Sequence, residues 1–309
     1  MFDIVIVGGG PAGLTSAIYA RRAGKSVALI EHSVPGGQVG LTHVIENYPG
    51  FEKIDGAELA TKMFEQASNL GTEIFFDEVL GYNLTSKIKV IKTHNNVFEC
   101  KALIICTGAS AKELNLKNEK LFLGRGVSYC ATCDGNFFKD KIVAVVGGGN
   151  TSFEDCLYLA NIAKKVYLIH RRDEFRGDKH TLEKIKSQCL GDNPKIELVL
   201  SSVISQINGT NKLESIVVEN KQTNTKSTIN VDGLFVAIGR SPDTGLIKGI
   251  VNLTENGFII TDVKKRTNIQ GVFAGGDVCD NPLRQIVTAC ADGAICATSA
   301  HEYISQNFN

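Results

Sequence analysis

From residue 3 to residue 7 the chain is an apolar run, the pattern of a strand buried on both faces. The stretch Gly8-Gly9-Gly10-Pro11-Ala12-Gly13 then opens a helical segment that continues through Arg22 and stops at Gly24. Ser26 to Ile30 is a second apolar strand, and it ends at Glu31. Residues 57–70 repeat apolar positions at helical spacing, with Leu59, Met63, Phe64, Ala67 and Leu70 near one face. Short strands of an antiparallel layer are predicted around 73–76, 79–84, 87–93 and 96–100, and a separate buried strand from Ala102 to Cys106. Further on, 142–146 reads as a strand, 151–163 as a helix and 165–169 as a strand. The stretch from 196 to 240 is strand-rich. Asn268 to Asp277 is a buried strand with a glycine turn and an acid, and a helix is predicted from about Arg284 to Ser305.

One unit occurs twice in this pattern. The first copy is strand, G-x-G-x-x-G turn, helix, strand and acid, which is the context a dinucleotide fingerprint requires. Gly8 makes the tight turn, Gly10 lets the backbone approach a pyrophosphate, and Gly13 lets helix pack on strand. The helix N-terminus faces the phosphates and Glu31 is placed to accept a ribose hydroxyl. The second copy runs from Ile142 through Gly147-Gly148-Gly149-Asn150-Thr151-Ser152 to Ile169. Gly10 and Glu31 are 21 positions apart, and so are Gly149 and His170. Here the strand-end acid is replaced by His170-Arg171-Arg172, with Arg176 one turn further on. Arginines suit a 2′-phosphate through forked, charge-assisted hydrogen bonds, so the second copy points to NADPH over NADH. The opposing reading is a solvated charged face, since Asp173, Glu174, Asp178 and Lys179 follow.

A chain of 309 residues holds two ordinary domains, and 43% hydrophobic with 21% charged residues is a globular composition. Lysine plus arginine and aspartate plus glutamate number 33 each, which gives no electrostatic case for nucleic acid or an anionic membrane surface. No apolar run reaches the roughly 18 residues of a membrane span. The N-terminus lacks the basic lead and cleavage site of a signal peptide, and nine scattered cysteines argue against a secreted disulfide framework. These features predict a cytoplasmic protein.

Cys130-Ala131-Thr132-Cys133-Asp134-Gly135 stands apart from the other cysteines. A structural zinc site would need a second closely spaced pair, and the remaining cysteines, at 100, 106, 156, 189, 279, 290 and 296, supply none. Packed structural cysteines are the usual reading for those seven. For Cys130 and Cys133 the spacing favours ring closure, and Asp134 is placed to exchange protons as the thiols cycle. A dithiol and NADPH do not exchange electrons efficiently without an intermediary, and a flavin is suited to the task. That chemistry assigns FAD to the first fingerprint and NADPH to the second.

Taken together and in order, these motifs resemble the low-molecular-weight, bacterial-type thioredoxin reductases, class II of the pyridine nucleotide-disulfide oxidoreductases. The likeness is carried by Gly8–Gly13, Pro35–Gln38, Cys130–Asp134, Gly147–Thr151, His170–Arg172 with Arg176, Phe235–Gly239, Gly275–Val278 and Arg284-Gln285. It implies an α/β protein of two Rossmann-like domains of three-layer ββα type, with the NADPH domain (113–240) inserted into the FAD domain (1–112 and 241–309). The resemblance places FAD on Gly8, Gly10, Pro11, Ala12, Gly13 and Glu31, lined by Gly36, Gly37, Gln38 and Asn47. Asp277 would hold its ribityl or phosphate region, with Arg284, Gln285 and Ile286 near the isoalloxazine. NADPH falls to Gly149, Asn150, Thr151, Ser152, His170, Arg171, Arg172, Arg176, Ile238 and Gly239. By the family pattern Cys133 is the flavin-proximal sulfur, Cys130 attacks the partner and Asp134 is the acid/base. The family also implies thioredoxin as substrate, a homodimer, and an NADPH domain that swings on hinges near 112–116 and 240–244. The chain departs from the pattern at Asn136, which precedes Phe137 and Phe138; those aromatics read equally as a thioredoxin anchor or as core.

Three other functions compete. A reductase for another thioredoxin-fold or peroxiredoxin-system partner would share every motif, although its relatives with this core carry an extra N-terminal region and here the fingerprint begins at residue 8. A reductase of ferredoxin-like carriers would lack the cysteine pair. A nucleotide-binding sensor would have lost the pair or Asp134.

Overall fold

A computed structural model describes residues 1–42 and 44–308. The chain forms two compact units, Met1–Ser110 with Ser241–Asn309, and Ala111–Arg240, so the second is inserted into the first.

In the first unit the opening run is β1 (Phe2–Val7), which turns into α1 (Pro11–Arg22) and returns as β2 (Val27–Glu31). Ile4, Val5 and Ile6 are wholly buried, each side chain stabilising the fold by roughly 1.5–3 kcal/mol. α2 (Gly56–Asn69) is capped by Asp55, whose carboxylate accepts from Ala57 N at 2.9 Å and Glu58 N at 3.1 Å. There follow β3 (Glu73–Phe76), β4 (Val79–Asn83), β5 (Lys89–Thr93), β6 (Val97–Ile105) and β7 (Ala109–Ala111). The sheet order is β3-β2-β1-β6-β5-β4.

Two expectations are corrected here. β3 pairs parallel with β2, so the antiparallel layer is limited to β4, β5 and the first half of β6. The strands predicted at 96–100 and 102–106 are one continuous β6. Its burial alternates at first, where it pairs antiparallel with β5, and becomes continuous after Lys101, where it lies inside the parallel sheet beside β1. A change of hydrophobic period within one strand had the appearance of two.

In the second unit come β8 (Val127–Ser128), the single-turn α3 (Ala131–Asp134), β9 (Ile142–Gly147), α4 (Asn150–Ala160), β10 (Lys165–Ile169), α5 (Lys179–Ser187) and β11 (Ile196–Val199). Then come β12 (Ser202–Asn208), β13 (Ser215–Asn220), β14 (Lys226–Asn230) and β15 (Gly233–Ala237). A parallel sheet of order β11-β10-β9-β15-β8 is accompanied by an antiparallel β12-β13-β14 layer. α5 shows no apolar stripe in the sequence, since Ile185 is its one buried residue.

The return strand β16 (Arg240–Pro242) pairs with β7. On the first unit's side Asp243 N donates to Gly108 O at 3.1 Å; on the second unit's side Lys112 N donates to Gly239 O at 3.0 Å. β17 (Val272–Ala274) then joins β6 along Leu103–Ile105, the edge that β5 leaves free. α6 (Ile286–Asn307) starts with a capping box between Gln285 and Thr288 and lies against α1. Gly293 permits that approach: a Cβ there would run into the Ala12 carbonyl, and Ser16 Oγ donates to Gly293 O at 3.0 Å.

Candidate active site

Cys130 and Cys133 form a disulfide, with Cα atoms 5.3 Å apart. Cys130 is the N-cap of α3 and Cys133 lies within its one turn. The pair is approached from β8, and there the buried Ser128 makes a connection that sequence reasoning missed. Its hydroxyl donates to Asp134 Oδ2 at 2.6 Å and accepts from Cys130 N at 3.0 Å. One hydroxyl thus ties the candidate acid to the backbone of the first cysteine. Ser128 precedes Cys130 by two positions, the range of local serine-to-backbone hydrogen bonds, and that spacing is the only signal that could have revealed it. Tyr129 is fixed as well: its hydroxyl donates to Glu119 Oε1 at 2.8 Å, and the buried Glu119 carboxylate also accepts from Leu114 N at 2.9 Å. Burial, with Glu119 second, holds the Tyr129 hydroxyl protonated well above the usual phenol range. The two aromatics after Asn136 differ in burial. Phe138 is core, edge-on to Phe235 at 5.2 Å, while Phe137 is 43% exposed.

In the first unit Glu31, the Gly36-Gly37 turn and Gly276 lie against the glycine turn that starts α1. Gly8 has φ +103, and a Cβ there would strike the Cys106 carbonyl. The Glu31 carboxylate, 6% exposed, accepts from Gly9 N at 2.6 Å and Ser33 N at 2.8 Å. A carboxylate has about four acceptor sites, so these two bonds leave capacity for a hydroxyl. Gly36 N donates to Gly9 O at 2.7 Å, which lays the Gly36-Gly37 turn on the fingerprint, and Gln38 Nε2 donates to Ala109 O. Asn47 Nδ2 donates to Gln285 Oε1 at 3.0 Å, joining two predicted residues far apart in sequence. Gly276, φ +81, packs against Ala12, and Asp277 follows it half-buried. The Arg284 guanidinium lies 4.4 Å from the centroid of the Phe258 ring, and Ile286 opens α6.

These residues fit a dinucleotide. Space beside the Gly10 α-carbon is open, since a Cβ there meets no atom within 4 Å. α1 begins with Pro11, with no side-chain cap and no acid in its first turn, a helix start suited to a phosphate.

In the second unit α4 repeats this start: Gly149 is an extended N-cap without a side-chain cap, and space beside it is open. Ser152 takes the third-glycine position fully buried, its hydroxyl donating to Gly149 O at 2.7 Å. Thr151 is exposed, and Asn150 Oδ1 accepts from Asp178 N at 2.7 Å. Gly147 pairs with Ala237, so Ile238 and Gly239 continue beside the fingerprint. His170 is set apart from the rest. It is 8% exposed, its ring stacks on Phe175 at 4.9 Å and fills the space where a Gly148 Cβ would sit. Burial lowers its pKa and keeps the ring neutral. Arg171, Arg172 and Arg176, by contrast, are exposed along the segment after β10.

Among the described residues, no group of three or more His, Cys, Asp or Glu is arranged to hold a metal ion. No helix among them is long and apolar enough to cross a membrane. Of the other cysteines, Cys100, Cys106, Cys156, Cys279 and Cys296 are buried, and Cys189 and Cys290 are half-buried.

Two Rossmann-type units, each with an open glycine fingerprint, and a vicinal disulfide beside a carboxylate define a dinucleotide-dependent disulfide oxidoreductase class. The chain belongs to the pyridine nucleotide-disulphide oxidoreductase family, whose model matches residues 2–293. It is 43% identical to a thioredoxin reductase of Peptoclostridium acidaminophilum over 100% of this chain and 98% of that protein. It is also 43% identical to one of Rickettsia conorii over 98% of each. The crystal structure of thioredoxin reductase from Streptococcus pyogenes superposes with a TM-score of 0.91 at 40% identity, covering 99% of both chains. The family implies a flavin and a nicotinamide coenzyme.

Proposed function

We propose that this protein is an NADPH-dependent, FAD-containing thioredoxin-disulfide reductase. The observation that carries the reading is the Cys130–Cys133 disulfide, with the Asp134 carboxylate tied through Ser128 to the backbone of Cys130. The names of its full-length relatives support the substrate. The exposed Arg171, Arg172 and Arg176 support a phosphorylated nicotinamide coenzyme over NADH.

FAD would be held by the Gly8–Gly13 turn, Glu31, Gly36 to Gln38, Asn47, Asp277 and Arg284 to Ile286, and NADPH by Gly149 to Ser152, His170, the three arginines, Ile238 and Gly239. When bound, FAD supplies a carrier that accepts a hydride from the nicotinamide and passes two electrons to sulfur. In the dithiol that results, the Cys130 thiolate attacks one sulfur of the thioredoxin disulfide, forming a mixed disulfide and releasing the other sulfur as a thiolate. Cys133 then attacks Cys130 Sγ, re-forms the Cys130–Cys133 bond and expels the second partner thiolate. Two electrons move to the partner, and Asp134 takes protons from the reacting cysteines and returns them to the departing sulfurs. Phe137, exposed beside the pair, offers the partner an apolar foothold. His170 shapes the coenzyme loop from beneath, through Gly148.

The test is NADPH oxidation by FAD-loaded protein with an oxidised thioredoxin, comparing wild type with Cys133→Ser. Turnover that needs both thioredoxin and Cys133 is expected. Flavin reduction by NADPH with no electron flow to thioredoxin would leave the cofactors standing and remove the substrate.

A further inference from the structure

Behind the Gly275-Gly276-Asp277 turn lies a buried polar cluster to which the catalytic scheme gives no role. Lys265 sits in the left-handed backbone region, at φ +58, which side chains other than glycine disfavour. Its ammonium turns inward to Asp292 Oδ1 at 2.7 Å, with the two side chains 13% and 10% exposed. The same ammonium donates to Asn281 Oδ1 at 3.0 Å. Asp292 Oδ2 accepts from Gly276 N at 3.0 Å and from Asn281 Nδ2 at 2.7 Å. Asn281 Nδ2 also donates to Gly276 O at 3.0 Å. Both polar backbone atoms of Gly276 are therefore held by side chains. The circuit closes through the Lys265 carbonyl, which accepts from Ala274 N at 3.0 Å, at the end of β17.

An apolar trio would fill this space without desolvating an ion pair, so packing alone does not account for it. A fully satisfied network instead fixes a single geometry. The residue it fixes is the one packed on Ala12 of the first fingerprint, directly before Asp277.

We propose that Lys265, acting through Asp292 and Asn281, is a positioning residue that sets the Gly276–Asp277 turn for flavin binding. The inference rests on the flavin reading of this unit. Its test uses the holoenzyme with Lys265→Met and with the double change Lys265→Met/Asp292→Leu. Lys265→Met leaves the Asp292 carboxylate without its cation, whereas the double variant refills the space with apolar side chains and returns fold stability toward wild type. FAD release on dilution is followed by the rise of free-flavin fluorescence, with NADP⁺ affinity as a control for the other unit. Both variants are expected to release FAD at least about tenfold more readily, with NADP⁺ affinity unchanged within about twofold and the double variant unfolding at a higher temperature than Lys265→Met. FAD retention equal to wild type in the double variant overturns the proposal. So does an equal loss of NADP⁺ affinity, which would mark general damage to the fold. If wild type itself retains no FAD, the flavin reading fails and this inference falls with it.

Discussion

At the end of β2, the Glu31 carboxylate stands under the glycine turn and receives two backbone N–H groups. Glu31→Ala would leave the buried Gly9 N–H unpaired, a loss of about 1–3 kcal/mol. Urea unfolding of the flavin-free protein should report that loss, and Glu31→Gln, which keeps an acceptor, should show less of it. The corresponding residue of the second copy, His170, fills the same place with a neutral ring. In both copies the strand-end residue packs against the middle glycine of the turn, Gly9 or Gly148. His170 stands at the register position of Glu31 and is buried as Glu31 is, the place that the sequence pattern assigns to it beside the coenzyme loop. Cys130, Cys133 and Asp134 were legible because their geometry is local. The Lys265–Asp292 pair and the Asn47–Gln285 bond were not, because nothing in the one-dimensional pattern relates residues on separate elements.

Elements were legible where a single period ran from end to end. β10 and the parallel strands beside it are short apolar runs, and they fall where the pattern places them. β6 changes neighbours along its length, and α5 buries too little to show a stripe. α4 carries a tension of its own. Burial, followed by its neighbour Glu154, pushes the half-buried Asp155 up from 3.8 to about 7, against the attraction of Arg240. A raised carboxyl pKa means that the folded state holds the proton more tightly than the unfolded chain does. The stabilisation from this group is complete below 3.8 and is lost as pH rises to about 7. Asp155→Asn should therefore raise the unfolding temperature, by more at neutral pH than under acid conditions; thermal melts of both proteins across that window would reveal a parallel shift if the burial argument is wrong.

For the whole molecule, the decisive feature is that one unit leaves and re-enters the other through adjacent strands. Because Gly108 and Asp243 are hydrogen-bonded neighbours, residues 110 and 241 can be joined by a short glycine linker once 111–240 is removed. Both products are expected to fold cooperatively, the shortened chain binding FAD and the excised unit binding NADP⁺; chemical denaturation showing no sigmoidal transition in either would contradict that autonomy. The repeat of the fingerprint was visible in the sequence, while the pairing of β7 with β16 was not, since it joins residues more than a hundred positions apart.

The remaining thiols have a consequence for electron traffic. Burial raises the pKa of all seven, with Cys100 and Cys279 pushed up to about 12, so they stay in the unreactive protonated form near neutral pH. The molecule is wired as an insulated conductor with a single sulfur terminal. Current that reaches Cys130 and Cys133 meets, in the other cysteines, thiols whose burial disfavours the thiolate.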